Sequence, residues 1–320
     1  MMCSTIPKQH TIEILWKDEC GLPLILRQTD RGENFVLYED NSTVTFTCDR
    51  NLSVLNQCEH WFMDGIFSIC PKSYYQLFTV HGMYSLQIVP LVYDLLIGKD
   101  TNDYDIFFQQ LLLKYDYEPE SILVDFESAT LKLTKSYFPD AIQIGCLFHF
   151  GQCLWREVPS LGLKNKYTDD GNFRMNVKKL MALAFVPVAD VIKAYSFLIS
   201  DFDNEDNPLF NYFERVWVGQ KKGRGSRRSK PKFSLQLWNI YKRVIHDLPR
   251  SNNAVEGWHH AFNNFVSIKH PSITKLAKCI LREQSRFEVD IERLRAGEPP
   301  KKKKKIYANL DARLKRIALT

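Results

Sequence analysis

The chain has 320 residues, of which 45% are hydrophobic and 25% are charged, so it is long and apolar enough to bury a sizeable core. Its most apolar run, residues 86–97, contains Pro90 and Asp94 and falls short of the roughly 20 residues of a membrane span. The first residues lack the pattern of a secretory signal, so we expect an intracellular protein with no membrane partner. The eight cysteines have no regular spacing and are expected to be thiols.

The net charge of +6 hides two strongly basic stretches. The basic segment, residues 221–232, contains no acidic residue and carries Lys221, Lys222, Arg224, Arg227, Arg228, Lys230 and Lys232. The lysine run, residues 301–305, adds five more positive charges and leaves the rest of the chain at a net charge of −6. This concentration is typical of phosphate contact or nuclear import, although solvated loops show the same pattern.

Residues 1–57 mix short strand-like pieces, such as 11–15 and 44–48, with turn residues, and we interpret them as a β-rich N-terminal segment. Beyond them, three β-rich runs separated by short turns predict an antiparallel meander. These runs are residues 60–70, 75–83 and 86–96.

After the meander, helices and strands alternate. The predicted order is helix 102–115, strand 122–124, helix 127–137 and strand 142–147. Three antiparallel strands joined to parallel strands through crossover helices make a mixed sheet. The predicted fold class is therefore α/β with an RNase H-like mixed sheet, whose first part spans residues 58–150.

The second half of the chain is predicted to be mainly helical. A helical insertion, residues 151–250, includes helices near 172–186 and 188–199, an acidic stretch at 201–206 and the basic segment. Residues 251–296 form helices that complete the core, one from 251 to about 266 and one from 272 to 295. A basic tail, residues 297–320, follows the break at Pro299 and Pro300.

Three carboxylates stand out as candidate metal ligands. Asp64 lies in an aromatic and apolar strand, where a charge is unfavourable unless it is paired or metal-bound; the alternative is a hairpin turn at Asp64-Gly65. Asp125 follows a predicted buried strand, where it could bind a metal at the edge of the sheet. Alternatively, it could be the N-cap of the next helix. Glu256 shares a predicted helix face with His260 and Asn263, and this polar face could meet the site. Alternatively, Glu256 could belong to a capping box at the start of the helix.

A few carboxylates converging from different elements are what two-metal phosphodiester cleavage requires. Three sequence blocks surround these acids. The first block is WFMDGIF at 61–67 with QLFTVHG at 76–82, and the second is VDFESA at 124–129 with GCLFHFGQ at 145–152. The third is LWNIY at 237–241 with RSNNAVEGWH at 250–259. Together the blocks resemble Mutator-like element (MULE) transposases.

The resemblance implies a DDE-type transposase with Asp64, Asp125 and Glu256 as its acidic triad and with a helical insertion before the glutamate. It also implies Mg²⁺ or Mn²⁺ in a two-metal site, DNA cleavage at element ends and strand transfer into target DNA. Its partners would be transposon-end and target DNA, with homo-oligomerisation as a further expectation. The lysine run would direct the chain to the nucleus.

Two departures from the family pattern are visible. Ile66 stands where the family commonly has threonine. Residues 1–57 also lack the Cys/His pattern of the zinc-finger module that relatives use to bind element ends. The alternative function is therefore a transposase-derived, non-catalytic DNA-binding or scaffold protein.

Each of three further groups of residues has two interpretations. Cys146 and His149 form a Cys-x-x-His element. The element either supplies half of a zinc site or orients the edge of the active site. Zinc is not expected, because the sequence offers no second pair of ligands at a suitable spacing. His259 and His260 either act near the scissile phosphate or lie at the surface. The aromatic residues near the basic segment either stack on an exposed base or pack in the core: Trp217, Phe233 and Trp238.

Overall fold

The computed structural model describes residues 22–200, 207–223 and 227–319. The predictions for residues 11–15 and 201–206 and for Arg224 lie outside this part of the chain. The described residues form a seven-stranded sheet in the order β1-β2-β5-β4-β3-β6-β7. Its strands are β1 (Val36–Glu39), β2 (Thr43–Phe46), β3 (His60–Ile66), β4 (Gln76–Tyr84), β5 (Gln87–Leu96), β6 (Ser121–Val124) and β7 (Ile142–Gly145).

The sheet is mixed. Strands β3, β4 and β5 form the predicted antiparallel meander, in which Asp64 pairs with Thr79 in register. Strands β6 and β7 are parallel, because Ile142 N donates to Glu120 O at 2.9 Å and Cys146 N donates to Val124 O at 2.9 Å, so both strands advance in the same direction. The order β5-β4-β3-β6-β7 is RNase H-like, and the predicted fold class is confirmed.

The predicted helices are present, with small shifts in their bounds. The helices up to the basic segment are α1 (Asp49–Asn56), α2 (Thr101–Leu112), α3 (Ser128–Tyr137), α4 (Leu147–Ser160), α5 (Lys164–Asp169), α6 (Gly171–Ala182), α7 (Val191–Ile199) and α8 (Asn207–Phe213). Those after it are α9 (Leu235–Trp238), α10 (Tyr241–Ile245), α11 (Asn253–Val266), α12 (Ile273–Arg295) and α13 (Lys305–Leu319).

Helix α1 is the main difference from the sequence prediction, which interpreted residues 1–57 as β-rich. The helix forms because it buries Leu52, Val54 and Leu55 while Asn51 donates from its amide to Leu91 O at 2.9 Å. A buried amide needs such a partner, and β5 supplies it only in the folded chain. The local sequence pattern of this segment is weak, and tertiary contacts therefore determine its helical conformation.

The described chain divides into two compact units. The first contains the described residues up to 122, together with 127–142 and 253–301. The second contains residues 123–126, the described part of 143–252, and 302–319. Among the described residues, the helices lack the length and apolar character that a membrane crossing requires.

Candidate functional site

Asp64 lies inside β3 and not at a hairpin turn. The strand continues to Ile66, and Asp64 faces Thr79 on β4. Its side chain is only 8% exposed, and its Oδ1 accepts a hydrogen bond from Gly65 N at 2.8 Å. The sequence alternative for Asp64 is therefore wrong: a carboxylate occupies a strand that is otherwise buried and apolar.

His259 on α11 brings an imidazole to this carboxylate. Its Nδ1 lies 3.8 Å from Asp64 Oδ2, and the two side chains are 12% and 8% exposed. Helix α11 buries the stripe Val255, Trp258, Phe262 and Val266 at helical spacing, and His259 borders it. The packing of this stripe therefore determines which histidine meets Asp64.

A buried polar chain lies behind Asp64. Thr79 Oγ1 donates to Asp64 O at 3.2 Å, and His81 Nε2 lies 3.1 Å from the same hydroxyl. The His81 ring packs edge-on against Trp258, with their centroids 5.1 Å apart. Burial lowers the pKa of His81 well below its ordinary value, and the neighbouring His259 lowers it further. His81 is therefore a neutral imidazole at neutral pH.

Glu256 lies one turn before His259 on the same helix, so the two side chains share a face. The helix begins at Asn253, which makes Glu256 its fourth residue, one position beyond that used by a capping box. The helix contains Glu256, His260 and Asn263 at the spacing that puts them on one face, as predicted. His260 is exposed and contacts Asn264 at 3.2 Å, while His259 is the histidine beside Asp64.

Asp125, in the second unit, follows β6 and pairs with a different histidine. His149 Nδ1 and Asp125 Oδ1 form an ion pair. The N-cap of α3 is Glu127, and it makes no side-chain capping bond. Asp125 is therefore not the helix cap that the sequence left open, and its carboxylate is held by an imidazole from α4.

The Cys-x-x-His element explains this arrangement. Cys146 is the fully buried N-cap residue of α4, and its Sγ accepts a hydrogen bond from Asn252 N at 3.3 Å. Burial alone would lower the pKa of His149, but hydrogen bonds with Asp125 and Cys146 outweigh it and raise that pKa to about 11. His149 is thus a cation at neutral pH, bound to the Asp125 carboxylate.

An aromatic cluster supports the residue next to Asp125. Phe126 packs edge-on against Trp217 and Phe233, with centroid distances of 5.0 Å in both cases. Trp217 and Trp238 are fully buried and Phe233 is 7% exposed. These three aromatic residues therefore form core and are not available to stack on a base.

Gly145 on β7 leaves the space for the Phe126 ring. A Cβ at Gly145 would lie 2.3 Å from Phe126 Cζ, which is closer than van der Waals contact permits. Gly145 is thus needed because the Phe126 ring, next to Asp125 in the chain, packs directly against its backbone.

The basic segment presents most of its described charges to solvent. Its two sides are joined by a bridge between Lys221 and Arg228. Arg228 differs from the rest because it donates to Glu214 Oε1 at 2.8 Å and lies over the Tyr195 ring. The exposed members are Lys221, Lys222, Arg227, Lys230 and Lys232.

Sequence reasoning missed Thr79 and His81 as neighbours of the first aspartate. A signal was present, since both are polar residues at i, i+2 in a strand that is otherwise largely apolar, and they therefore share one face of the sheet. The structure brings Asp64 and His259 together in the first unit, with Glu256 one turn from His259 on the same helix. It gathers Asp125, Cys146 and His149 in the second.

Comparisons with known proteins give a family for part of the chain. No curated protein matches. Among solved structures, one similar chain comes from the Drosophila P element transposase strand transfer complex, with 11% identity and a TM-score of 0.34 over 87% of this chain and 85% of that chain. A family model described as the MULE transposase domain matches residues 60–152. The resemblance to the MULE transposase family inferred from the sequence is therefore confirmed over residues 60–152.

Proposed function

We propose that this chain is the catalytic part of a DDE-type transposase, which cleaves DNA at element ends and joins the freed 3′ hydroxyl to target DNA. Asp64, Asp125 and Glu256 are its acidic triad. The observation that carries the proposal is the MULE domain match, which encloses both aspartates in their expected order. Glu256 joins them through its place beside His259, the residue that meets Asp64.

The carboxylates fit a hard divalent cation. Asp64 is nearly buried in an apolar strand, a position in which a carboxylate is favourable only with a cationic or hydrogen-bonding partner. Carboxylate oxygens are the ligands that Mg²⁺ and Mn²⁺ prefer. When bound, such ions activate the attacking oxygen and stabilise the leaving oxygen of an in-line phosphoryl displacement.

The chain's own residues prepare these carboxylates. His149 holds Asp125 through an ion pair, and His259 lies against Asp64. Both imidazoles come from helices, which are rigid supports for a site. The basic segment binds DNA phosphates through its exposed lysines and Arg227, so binding weakens steeply as salt is raised.

The test is cleavage of a labelled duplex carrying candidate element ends, with Mn²⁺ or Mg²⁺. Asp64→Asn and Glu256→Gln should each lower cleavage at least about a hundredfold, because several kcal/mol of transition-state stabilisation are lost. Asp116→Asn is the matched control, since Asp116 is an exposed aspartate of the first unit away from the proposed triad. Unchanged metal-dependent cleavage in the Asp64 variant would refute the triad.

A second candidate function is a transposase-derived DNA-binding or scaffold protein without catalysis. The exposed charges of the basic segment favour it, because phosphate binding by lysines does not depend on the carboxylates. Salt-dependent DNA binding that is lost on replacing Lys221, Lys222 and Lys230 by glutamine, without cleavage under any metal condition, would select this function.

Two finer proposals concern cellular context. The lysine run directs the chain to the nucleus, and its replacement by glutamines should leave a fluorescent fusion in the cytoplasm. Pairing of two DNA ends requires more than one copy, so the protein forms a homo-oligomer on end DNA. Light scattering of the DNA complex measures the number of chains directly.

A further inference from the structure

Three metal-ligating side chains meet at the starts of β3 and β6. Glu59 immediately precedes β3, His60 is its first residue, and Glu120 immediately precedes β6. One ligand atom from each lies within 4.8 Å of the other two. All three belong to the first unit, and none is assigned a role in the proposed transposition reaction.

The backbone holds this group in register. Ser121 N donates to Glu59 O at 3.1 Å, which joins the residue before β3 to the first residue of β6. Glu120 O accepts from Ile142 N at 2.9 Å at the start of β7. The two glutamates are therefore fixed at their Cα positions, while their exposed side chains remain adjustable.

The imidazole is already oriented. His60 is 5% exposed, and its Nδ1 lies 3.0 Å from Ser121 Oγ. Metal-binding histidines usually have one ring nitrogen fixed by a neighbouring polar group in this way, which sets the ring orientation. Ser121 is thus a supporting residue outside the set of three ligands.

The charges also call for a cation. Glu59 and Glu120 are both exposed carboxylates with oxygens within 4.8 Å of each other. Two carboxylates at this separation repel each other, and a bound cation removes that repulsion.

We propose that Glu59, His60 and Glu120 bind a Zn²⁺ ion that ties together the starts of β3 and β6. One nitrogen and two carboxylate oxygens suit Zn²⁺, with water as a fourth ligand, whereas Mg²⁺ prefers oxygen ligands alone. A tetrahedral ion holds its ligands roughly 3.4 Å apart, so the side chains must close by about 1.5 Å at most.

This site is separate from the proposed triad. His60 and Asp64 are four residues apart on β3, which places them about 13 Å apart along the strand. The two lie on the same face of the sheet, because side chains at i and i+4 point in the same direction. Occupation of the new site therefore does not use the Asp64 carboxylate.

The test is Zn²⁺ titration of the full chain by isothermal calorimetry, with wild type compared with Glu59→Gln/Glu120→Gln. Both glutamates are exposed, so these changes keep the fold, unlike replacement of the buried His60. The matched control is Glu118→Gln, an exposed glutamate two residues from Glu120 and outside the cluster. Because the result is a difference from wild type, Zn²⁺ bound elsewhere on the chain cancels.

We expect the double variant to bind one equivalent fewer of Zn²⁺ than wild type, or to bind that equivalent at least tenfold more weakly, while Glu118→Gln binds as wild type does. The imidazole resonances of His60 should shift on Zn²⁺ addition in wild type and in the control only. Equal stoichiometry and affinity in wild type and double variant, or an unshifted His60 resonance, would overturn the proposal.

Discussion

Asp94 on β5 is a fully buried carboxyl group that should make the stability of the first unit depend on pH. Its Oδ1 accepts hydrogen bonds from the Thr43 and Thr45 hydroxyls at 2.9 and 2.7 Å. Its Oδ2 has no hydrogen-bond partner among the described residues. Burial raises the pKa of Asp94 to about 7, against the hydrogen bonds from both threonines, which lower it.

The sign of the effect follows from this raised pKa. Between the unfolded pKa near 4 and the folded pKa near 7, the folded chain holds a proton that the unfolded chain releases, so stability falls as pH rises through this window. A shift of about three pKa units corresponds to about 4 kcal/mol over the whole window. Between pH 5 and pH 8 the loss is about 2.5 kcal/mol.

Asp94→Asn should remove this loss. The asparagine Oδ1 accepts the same two hydroxyl hydrogen bonds, and its amide resembles the protonated carboxyl in shape and charge. We therefore expect the free energy of unfolding of the variant, relative to wild type, to increase by about 2.5 kcal/mol from pH 5 to pH 8. Urea unfolding followed by circular dichroism at both pH values measures this difference.

Asp40 provides a control of opposite sign on the neighbouring hairpin. Burial raises the pKa of Asp40, but hydrogen bonds from Ser42, Tyr38 and Thr43 outweigh it, so the pKa lies below its ordinary value. Its contribution to stability is present at neutral pH and is lost as pH falls through the folded pKa. Asp40→Asn should therefore destabilise the chain near neutral pH and less so in acid.

The reasoning about Asp94 would be refuted by one result. This is a difference in the free energy of unfolding between wild type and Asp94→Asn that stays constant from pH 5 to pH 8.

Three further predictions follow from local packing. Gly145→Ala should destabilise the second unit by about 1–3 kcal/mol and lower DNA cleavage, because its Cβ would displace the Phe126 ring beside Asp125; unchanged unfolding and cleavage would contradict this. Gly257→Ala on α11 meets no heavy atom within 4 Å and should stabilise the helix by about 0.5–1 kcal/mol in urea unfolding. Ser272→Ala should destabilise the first unit by about 1 kcal/mol, because its Oγ caps α12 at Lys275 N, while Ser272→Asp should retain most of that stability.

The sequence predicted the strands of the core well because each carries its own signal. The meander is marked by short turns between apolar runs, and β6 by three consecutive buried aliphatic residues. Helix α1 carried no comparable signal, since its Asn51 needs partners from β5 and α12 that are distant in sequence. Local patterns therefore predict elements whose faces are uniform, and they fail where a buried polar group depends on distant partners.

The sequence predicts three candidate carboxylates, but it does not predict which side chains lie beside them. Periodicity placed His260 with Glu256, whereas packing of Trp258 and Val255 turns His259 toward Asp64. Adjacent histidines on a helix differ by about 100° in direction, so only one of them can meet the strand. Only the tertiary packing of that stripe decides between them.

A buried carboxylate in a strand is, by itself, a weak sign of a catalytic site. Asp64 and Asp94 both interrupt apolar strands, and a rule based on the unfavourable burial of charge would select either one. Their neighbours distinguish them. Asp94 accepts hydrogen bonds from two neutral hydroxyls, and its burial outweighs them and favours the protonated carboxyl, whereas Asp64 has the His259 imidazole within 4 Å. A site for phosphoryl transfer needs an ionised carboxylate, so Asp64 is the one whose surroundings match the proposed chemistry.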